Sequence, residues 1–520
     1  MKKRPFAFVL AVALALSLAA CGGGDGESSS GSEGPGTPVE IAKSQGGNPL
    51  VGYDDAGNLT YGGDPSALVV GDTLYLYVGH DTAAYPKTDY VIPEYLCYST
   101  KDMVNWEYHG VVLKMTDVSW GDNKSAWAGQ VARHYDKAAG KDMYYLYFCS
   151  WDSTDGGRQS IGVAVSDSPT GPFEDIGAPI VKGSFTTDET SGWNDIDPTV
   201  WIENDENGEE HRYLAWGNSK LYVCELNEDM ISVRDYDGDG KVTFGKDVIS
   251  KQLPDSFTEA PWIYRRQDEN GNGYGDYYLF YAYGWRERMA YATTDDLMEG
   301  RLYYQDVIMR PSATSNTNHM AVVDFLGKTW FIYHNGSLPG GSGFRRVACA
   351  AEVQFDSDGT IAYIEETAVG AFGTASTLTA LNGEVLEHAH FNNSAMDDAY
   401  PYKDVVLGSG LDKAEELDAQ WEIVAGKADP GDVYTVSLES NNKAGLYVTV
   451  TDSGVVLSQD YDGTMAQAQT FRTVEGLAGQ GVSFESLAQP GMYLTLSGGA
   501  AALTGGEDVN AVSFTVAAVK

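Results

Sequence analysis

Residues 62–77 read Gly-Gly-Asp-Pro-Ser-Ala-Leu-Val-Val-Gly-Asp-Thr-Leu-Tyr-Leu-Tyr. A short apolar stretch, a Gly71-Asp72 turn and an aromatic run follow one another, which is the pattern of a β-hairpin. The run Thr73-Leu-Tyr-Leu-Tyr77 has four counterparts: Met143-Tyr-Tyr-Leu-Tyr147, Arg212-Tyr-Leu-Ala-Trp216, Tyr277-Tyr-Leu-Phe-Tyr281 and Thr329-Trp-Phe-Ile-Tyr333. Each follows a Gly- or acid-rich turn. Asn207-Gly208 and Asn270-Gly271 favour tight hairpins, since both residue types tolerate positive φ. Five such units predict an all-β, five-bladed β-propeller over residues 45–370. Helical periodicity is weak there, which argues against an α/β barrel.

Each unit opens on a residue that can be aligned with the others: Asp64-Pro65, Trp127-Ala128, Asp197-Pro198, Glu259-Ala260-Pro261 and His319-Met320. These openings lie 63, 70, 62 and 60 residues apart. In a propeller the first strand of every blade lines the central channel, so equivalent positions converge at one end of the axis. Three carboxylates, a Trp and a His are therefore expected to meet. A carboxylate opening an apolar strand is costly unless it is paired, solvated in a cleft or functional. One Asp-Pro could be an ordinary turn starter. Three acids at one level of three blades are harder to read that way.

Three carboxylates beside an aromatic wall suit glycoside hydrolysis. One acid protonates the leaving oxygen while another activates water from the opposite face. In inverting enzymes the two stand ~6.5–9.5 Å apart, so that the water fits between them. The third can raise the pKa of the acid by like-charge repulsion. Trp127 is expected to stack on a sugar ring, its alternative being a core Trp.

Composition narrows the partners. The chain of 520 residues exceeds one compact core, and 43% apolar with 21% charged residues excludes wholesale disorder. A formal charge of −40 repels phosphate backbones, so no nucleic-acid partner is expected, while neutral polysaccharides remain open. Residues 1–20 read as an export signal: Lys2, Lys3 and Arg4 precede an apolar run too short to span a bilayer comfortably. Leu18-Ala19-Ala20-Cys21 resembles the lipobox of bacterial lipoproteins. That resemblance implies a diacylglycerol on Cys21 and a membrane-anchored protein at the bacterial cell surface or in the periplasm. Residues 21–44 then form a tether whose first part is rich in Gly, Ser and Glu. Cys97, Cys149, Cys224 and Cys349 form no Cys-x-x-Cys pair and lie in apolar runs, so they read as buried thiols.

Residues 371–520 read as a second domain. Ser437-Leu-Glu-Ser440 with Gly445-Leu-Tyr447 recurs as Ser483-Phe-Glu-Ser486 with Gly491-Met-Tyr493, an offset of 46 for both elements. Aromatic strands end each of three units, at Trp421, Phe471 and Phe514. Threefold repetition of this size predicts a β-trefoil-like domain. One further motif, Asp235-Tyr-Asp237-Gly-Asp239-Gly240, imitates an EF-hand loop. Lys246 stands where a bidentate Glu is needed, so a polar turn is the reading.

At these residues the chain resembles glycoside hydrolase family 43. The matching stretches are Gly62-Gly63-Asp64-Pro65-Ser66, Asp195-Ile196-Asp197-Pro198-Thr199, Thr258-Glu259-Ala260-Pro261-Trp262, Asn318-His319, Tyr333-His334-Asn335 and Gly341-Ser342-Gly343-Phe344-Arg345-Arg346. The resemblance implies an inverting hydrolase with Asp64 as general base, Glu259 as general acid and Asp197 tuning and positioning Glu259. It also implies a cation, usually calcium, near the axis beside His319, and a basic residue approaching the sugar or the acid. Arg345 is taken for that residue, with Arg346 as its rival. The C-terminal repeats are similar to the arabinose-binding AbfB module. The expected function is an exo-acting hydrolase of hemicellulose or pectin side chains, foremost an α-L-arabinofuranosidase on arabinoxylan or arabinan. The alternatives are a β-xylosidase, an endo-arabinanase, or a non-catalytic surface lipoprotein that binds polysaccharide.

Overall fold

The computed structural model describes residues 36–205, 207–268, 272–389 and 404–519. The leader and Cys21 lie outside the described residues. Five antiparallel sheets follow one another along the chain, each running in strand order outward from the axis. Blade I holds β1 (Gly62–Val70), β2 (Thr73–His80), β3 (Glu94–Thr100) and β4 (Trp106–Lys114). Blade II holds β5 (Gln130–Asp136), β6 (Lys141–Asp152), β7 (Arg158–Ser166) and β8 (Glu174–Asp175). Blade III holds β9 (Thr199–Asn204), β10 (Glu210–Trp216), β11 (Tyr222–Glu225) and β12 (Val248–Ser250). Blade IV holds β13 (Phe257–Gln267), β14 (Gly273–Tyr283), β15 (Arg288–Thr294) and β16 (Tyr303–Met309). Blade V has β17 (Met320–Phe325), β18 (Lys328–Asn335) and β19 (Val347–Val353). The first strands β1, β5, β9, β13 and β17 neighbour one another in a closed ring.

The aromatic runs are the second strands. Successive side chains of a strand point to opposite faces, and in a propeller both faces pack against the next blade. Tyr147, Phe148, Phe280, Tyr281, Phe331 and Tyr333 are accordingly all buried. This is why the runs are continuously apolar and aromatic rather than alternating. The four cysteines sit in β3, β6, β11 and β19 as buried free thiols.

Blade V has three strands of its own among the described residues. Its outer edge is met by the segment ahead of blade I. Leu50 N–H donates to Ala348 O at 2.9 Å. Asn48 imitates a strand with its side chain: Nδ2 donates to Ala350 O at 3.1 Å, and Oδ1 accepts from Ala350 N–H at 2.8 Å. Beginning and end of the propeller are thus stapled together.

Among the described residues the C-terminal domain has twelve strands: β20 (Ala375–Ala380), β21 (Glu387–His388), β22 (Val405–Gly408), β23 (Trp421–Ala425), β24 (Thr435–Ser440), β25 (Leu446–Thr451), β26 (Gly454–Gln459), β27 (Phe471–Glu475), β28 (Val482–Ser486), β29 (Tyr493–Ser497), β30 (Ala500–Thr504) and β31 (Phe514–Ala518). β20, β23, β24, β27, β28 and β31 pair in sequence, and β31 returns to β20, closing a six-stranded barrel. The remaining strands pair as hairpins over one end, which is the β-trefoil arrangement. The repeated Ser-x-Glu-Ser motif has a structural cause. Glu439 accepts from Gly445 N–H at 2.7 Å and from the Tyr447 hydroxyl at 2.6 Å, and Glu485 accepts from Gly491 N–H at 2.8 Å. Each glutamate ties its strand to the glycine turn that follows. The C-terminal domain also braces the propeller, because Gln459 at the end of β26 donates through Nε2 to Gly336 O at 2.9 Å and to Gly341 O at 3.1 Å.

The EF-hand-like stretch is a polar turn without flanking helices. Asp235 accepts from Gly238 N–H and Gly240 N–H, and Lys246 pairs with Asp237. Asn48→Ala should leave Ala350 N–H and C=O unpaired in the interior and cost about 2–4 kcal/mol. An earlier urea unfolding transition, with unchanged native circular dichroism, is the expected result.

Candidate active site

A cavity of about 530 Å³ opens at one end of the propeller axis. All five aligned opening residues, Asp64, Trp127, Asp197, Glu259 and His319, line it. The way each reaches it follows from local backbone geometry. Asp64 has φ 52°, Asp197 φ 59° and Ala260 φ 56°, and each precedes a proline. Non-glycine residues in this left-handed region are uncommon and gather at functional sites. In β1 the pairing register breaks between Gly63 and Ser66, and in β13 between Glu259 and Trp262. These bulges swing the acids off the strand and into the channel. Ala260, not Glu259, is the structural equivalent of Asp64 and Asp197. The sequence alignment was therefore one residue out in blade IV, although it named the acid that faces the cavity.

The four cavity carboxyls are held in different states. Burial pushes Asp64 up, but Arg346, His334 and His319 outweigh it and hold its carboxyl below the ordinary carboxylate range. Arg346 Nη1 donates to Asp64 Oδ1 at 2.6 Å. The same guanidinium grips Asp81 through Nε and Nη2, both at 2.9 Å. Gly63 makes this possible, because a Cβ there would collide with the Arg346 guanidinium. Asp197 is raised by burial and by the Glu259 and Asp64 charges, while Ala260 N–H donates to its Oδ2 at 2.9 Å. Glu259 is raised by burial and by Asp64, against the pull of hydrogen bonds from Glu287 and Asn218. Glu287 is raised strongly by burial and by Glu259.

The histidines are uncharged. Burial lowers His319 to about 4. Burial and Arg346 lower His334 to about 3. His334 Nδ1 accepts from Asp64 N–H at 3.1 Å, which leaves Nε2–H to donate to Thr317 O at 3.0 Å. That bond pattern assigns the Nε2–H tautomer.

Trp127 stands edge-on to Tyr90 and Trp151, and its buried Nε1 has no hydrogen-bond partner. Its ring can supply a wall to a ligand. Trp193 and Trp285, 57% and 69% exposed, line the cavity as well.

Arg345 is a correction. It does not line the cavity; its Nε donates to Gly340 O at 2.5 Å, and Nη1 reaches Ala83 O and Lys87 O. Neighbouring residues of an extended segment point to opposite sides, and Arg346 has the inward parity. Sequence reasoning also missed Asp81, Asn218 and Glu287. Asn218 and Glu287 sit in the turns after β10 and β14, where no register repeats from blade to blade.

Gly63→Ala should displace Arg346 from Asp64 and cut turnover about a hundredfold, as displacements near 1 Å in active sites can. Steady-state kinetics beside a thermal melt would separate this from unfolding.

Comparison with known proteins identifies the family. The family model "Glycosyl hydrolases family 43" matches residues 60–361, and the "Alpha-L-arabinofuranosidase B (ABFB) domain" matches residues 392–514. A xylosidase/arabinosidase of Bacteroides ovatus is 32% identical over 343 residues, covering 59% of this chain and 95% of that protein. A β-D-galactofuranosidase of Aspergillus niger is 27% identical over 328 residues, covering 61% and 87%. The crystal structure of a β-xylosidase/α-arabinofuranosidase from a compost microbial metagenome, in complex with xylotriose, is 27% identical. It covers 62% of this chain and 98% of its own, with a TM-score of 0.49. Carrying the family's catalytic propeller and an AbfB domain, the chain is an inverting glycoside hydrolase and belongs to glycosyl hydrolases family 43.

Proposed function

We propose that the enzyme removes terminal α-L-arabinofuranosyl groups from arabinoxylan or arabinan, with Asp64 as general base and Glu259 as general acid. The observation that carries these roles is the opposite displacement of the two carboxyls in one cavity. Asp64 is held ionised by Arg346, and Glu259 is held towards its protonated form by burial. Pairs of titratable groups pushed apart in this way mark the acid and base of a site.

Glu259 gives its proton to the glycosidic oxygen as the bond to the anomeric carbon breaks. Water attacks that carbon from the opposite face and loses its proton to Asp64, so the anomeric configuration inverts. Asp197 shares the cavity with Glu259, whose charge raises it, and is fixed by the Ala260 amide. Trp193 and Trp285 give the remaining chain a surface to stack on.

The choice of arabinofuranose rests on the AbfB domain and on relatives named for arabinosidase and galactofuranosidase activity. The xylosidase half of the Bacteroides relative's name supports a second reading, β-xylosidase. A hydrated calcium ion near the axis belongs to the same proposal. His319 presents an uncharged imidazole to the cavity, and water would complete the oxygen shell that calcium prefers. Lipid anchoring through Cys21 is also part of it, and Cys21→Ala should move the enzyme from the membrane to the soluble fraction.

Aryl α-L-arabinofuranoside should be turned over well above aryl β-D-xyloside; the reverse order would make the enzyme a β-xylosidase. Glu259→Gln should slow substrates with poor leaving groups about 10²–10⁴-fold and activated aryl glycosides far less. Asp64→Asn should abolish both. Proton NMR of the first product should show the inverted anomer.

Replacing Arg346 by Met should let the Asp64 carboxyl rise towards the ordinary range. The acidic limb of the rate profile would then move to higher pH, since Asp64 must be ionised to accept a proton. A limb left in place would show that Arg346 does not set the base.

A further inference from the structure

Glu287 closes the turn between β14 and β15 and reaches into the cavity, where it is 2% exposed. Its Oε2 accepts from Asn318 N–H at 2.6 Å, and its own N–H donates to Asn316 O at 3.4 Å. The carboxyl is therefore fixed from the blade V side. Its other contact is with the carboxyl of Glu259, at hydrogen-bond distance.

Two ionised carboxylates have only acceptors, so a hydrogen bond between them needs a proton on one. Like charges this close, in a buried site, cannot both be ionised. The second partner of Glu259 is the Asn218 amide, whose Nδ2 donates to Glu259 Oε2 at 2.5 Å. Asn218 has no proton to lose, so Glu287 is the group through which a proton can be shared.

We propose that Glu287 is a positioning residue that shares a proton with Glu259, so that the proton donor of this enzyme is a carboxyl pair rather than a single glutamic acid. The inference rests on the reading of Glu259 as general acid. With both carboxyls protonated, Glu259 releases its proton to the leaving oxygen. The O–H of Glu287 then donates to the new carboxylate, and solvent later returns one proton to the pair. The glycosidic bond breaks as water bonds to the anomeric carbon and passes its proton to Asp64, and nothing is oxidised or reduced.

The charged and titratable groups around the pair are Asp197, Asp64, Arg346, Tyr90 and the uncharged His319. Tyr90 is raised to about 12 by burial and stays a phenol through the working range. Arg286, next in the turn, points elsewhere, with Nη2 donating to Ser312 O at 3.3 Å. Among the described residues that line the cavity, the cation facing Glu287 is the Arg346 already held by Asp64 and Asp81.

Glu287→Gln keeps the size and a hydrogen-bonding end but cannot hold the shared proton. On a substrate with a poor leaving group, kcat should fall about tenfold or more, with KM little changed, as expected when general acid assistance is weakened. An activated aryl glycoside should lose less than about threefold. The alkaline limb of kcat/KM should move to higher pH, because the Glu259 carboxylate then loses the O–H that stabilises it and Glu259 holds its proton more tightly. Infrared difference spectra at neutral pH should lose one protonated-carboxyl band relative to wild type.

An unmoved alkaline limb, or equal losses on both substrates, would overturn the proposal. If the variant fails to fold, the same infrared comparison between wild type and Glu259→Gln decides it, since the pair must show a band that depends on Glu259. If Glu259→Gln shows no leaving-group dependence, the acid assignment itself fails. If it does and Glu287→Gln behaves as wild type, only the carboxyl pair is refuted.

Discussion

A single guanidinium holds the site together. Arg346, immediately before β19 of blade V, bonds Asp64 in β1 and Asp81 just past β2, so it ties the last blade to the first at the cavity. Its burial is costly unless its charge is paired. Two carboxylates and the close approach allowed by Gly63 meet that demand. The same bond neutralises one cavity acid, leaving burial and mutual repulsion to act on the other three. Fold closure and the division of labour among the carboxyls therefore share one physical cause.

The support extends outward in layers. The loop from Gly336 to Arg346 leans on Gln459 of the β25–β26 hairpin, whose amide bonds two of its carbonyls. The C-terminal domain is thus part of the scaffold beneath Arg346 as well as a candidate sugar-binding module. Damage to the hairpin at Gln459 would be felt in the catalytic cavity.

Much of this was legible in the sequence because it repeats. Aromatic second strands packed on both faces leave an apolar run that survives loop variation, so five blades could be read without knowing any contact. The trefoil was legible because Glu439 and Glu485 each need a glycine turn at the same distance. Registers were less legible. The bulge in β13 puts Ala260 where blades I and III carry an aspartate, and linear spacing cannot register a bulge. The parity of Arg345 and Arg346 depends on a local strand direction that neither residue announces. Asn218 and Glu287 left no trace at all. Gly284-Trp285-Arg286-Glu287-Arg288 reads as a charged surface turn, and only the fold shows that its glutamate enters the cavity.

The staple between Asn48 and Ala350 joins positions 302 residues apart. During synthesis the first four blades leave the ribosome before their ring can shut, and pairing at such long range carries a large loop-closure entropy. The unshut intermediate would present the open edge of β19's future neighbour and the bare flank of blade I, surfaces prone to mispairing between nascent chains. Slow translation through blade IV, or a holdase acting on the half-built ring, would therefore influence yield far more than any change within a finished blade.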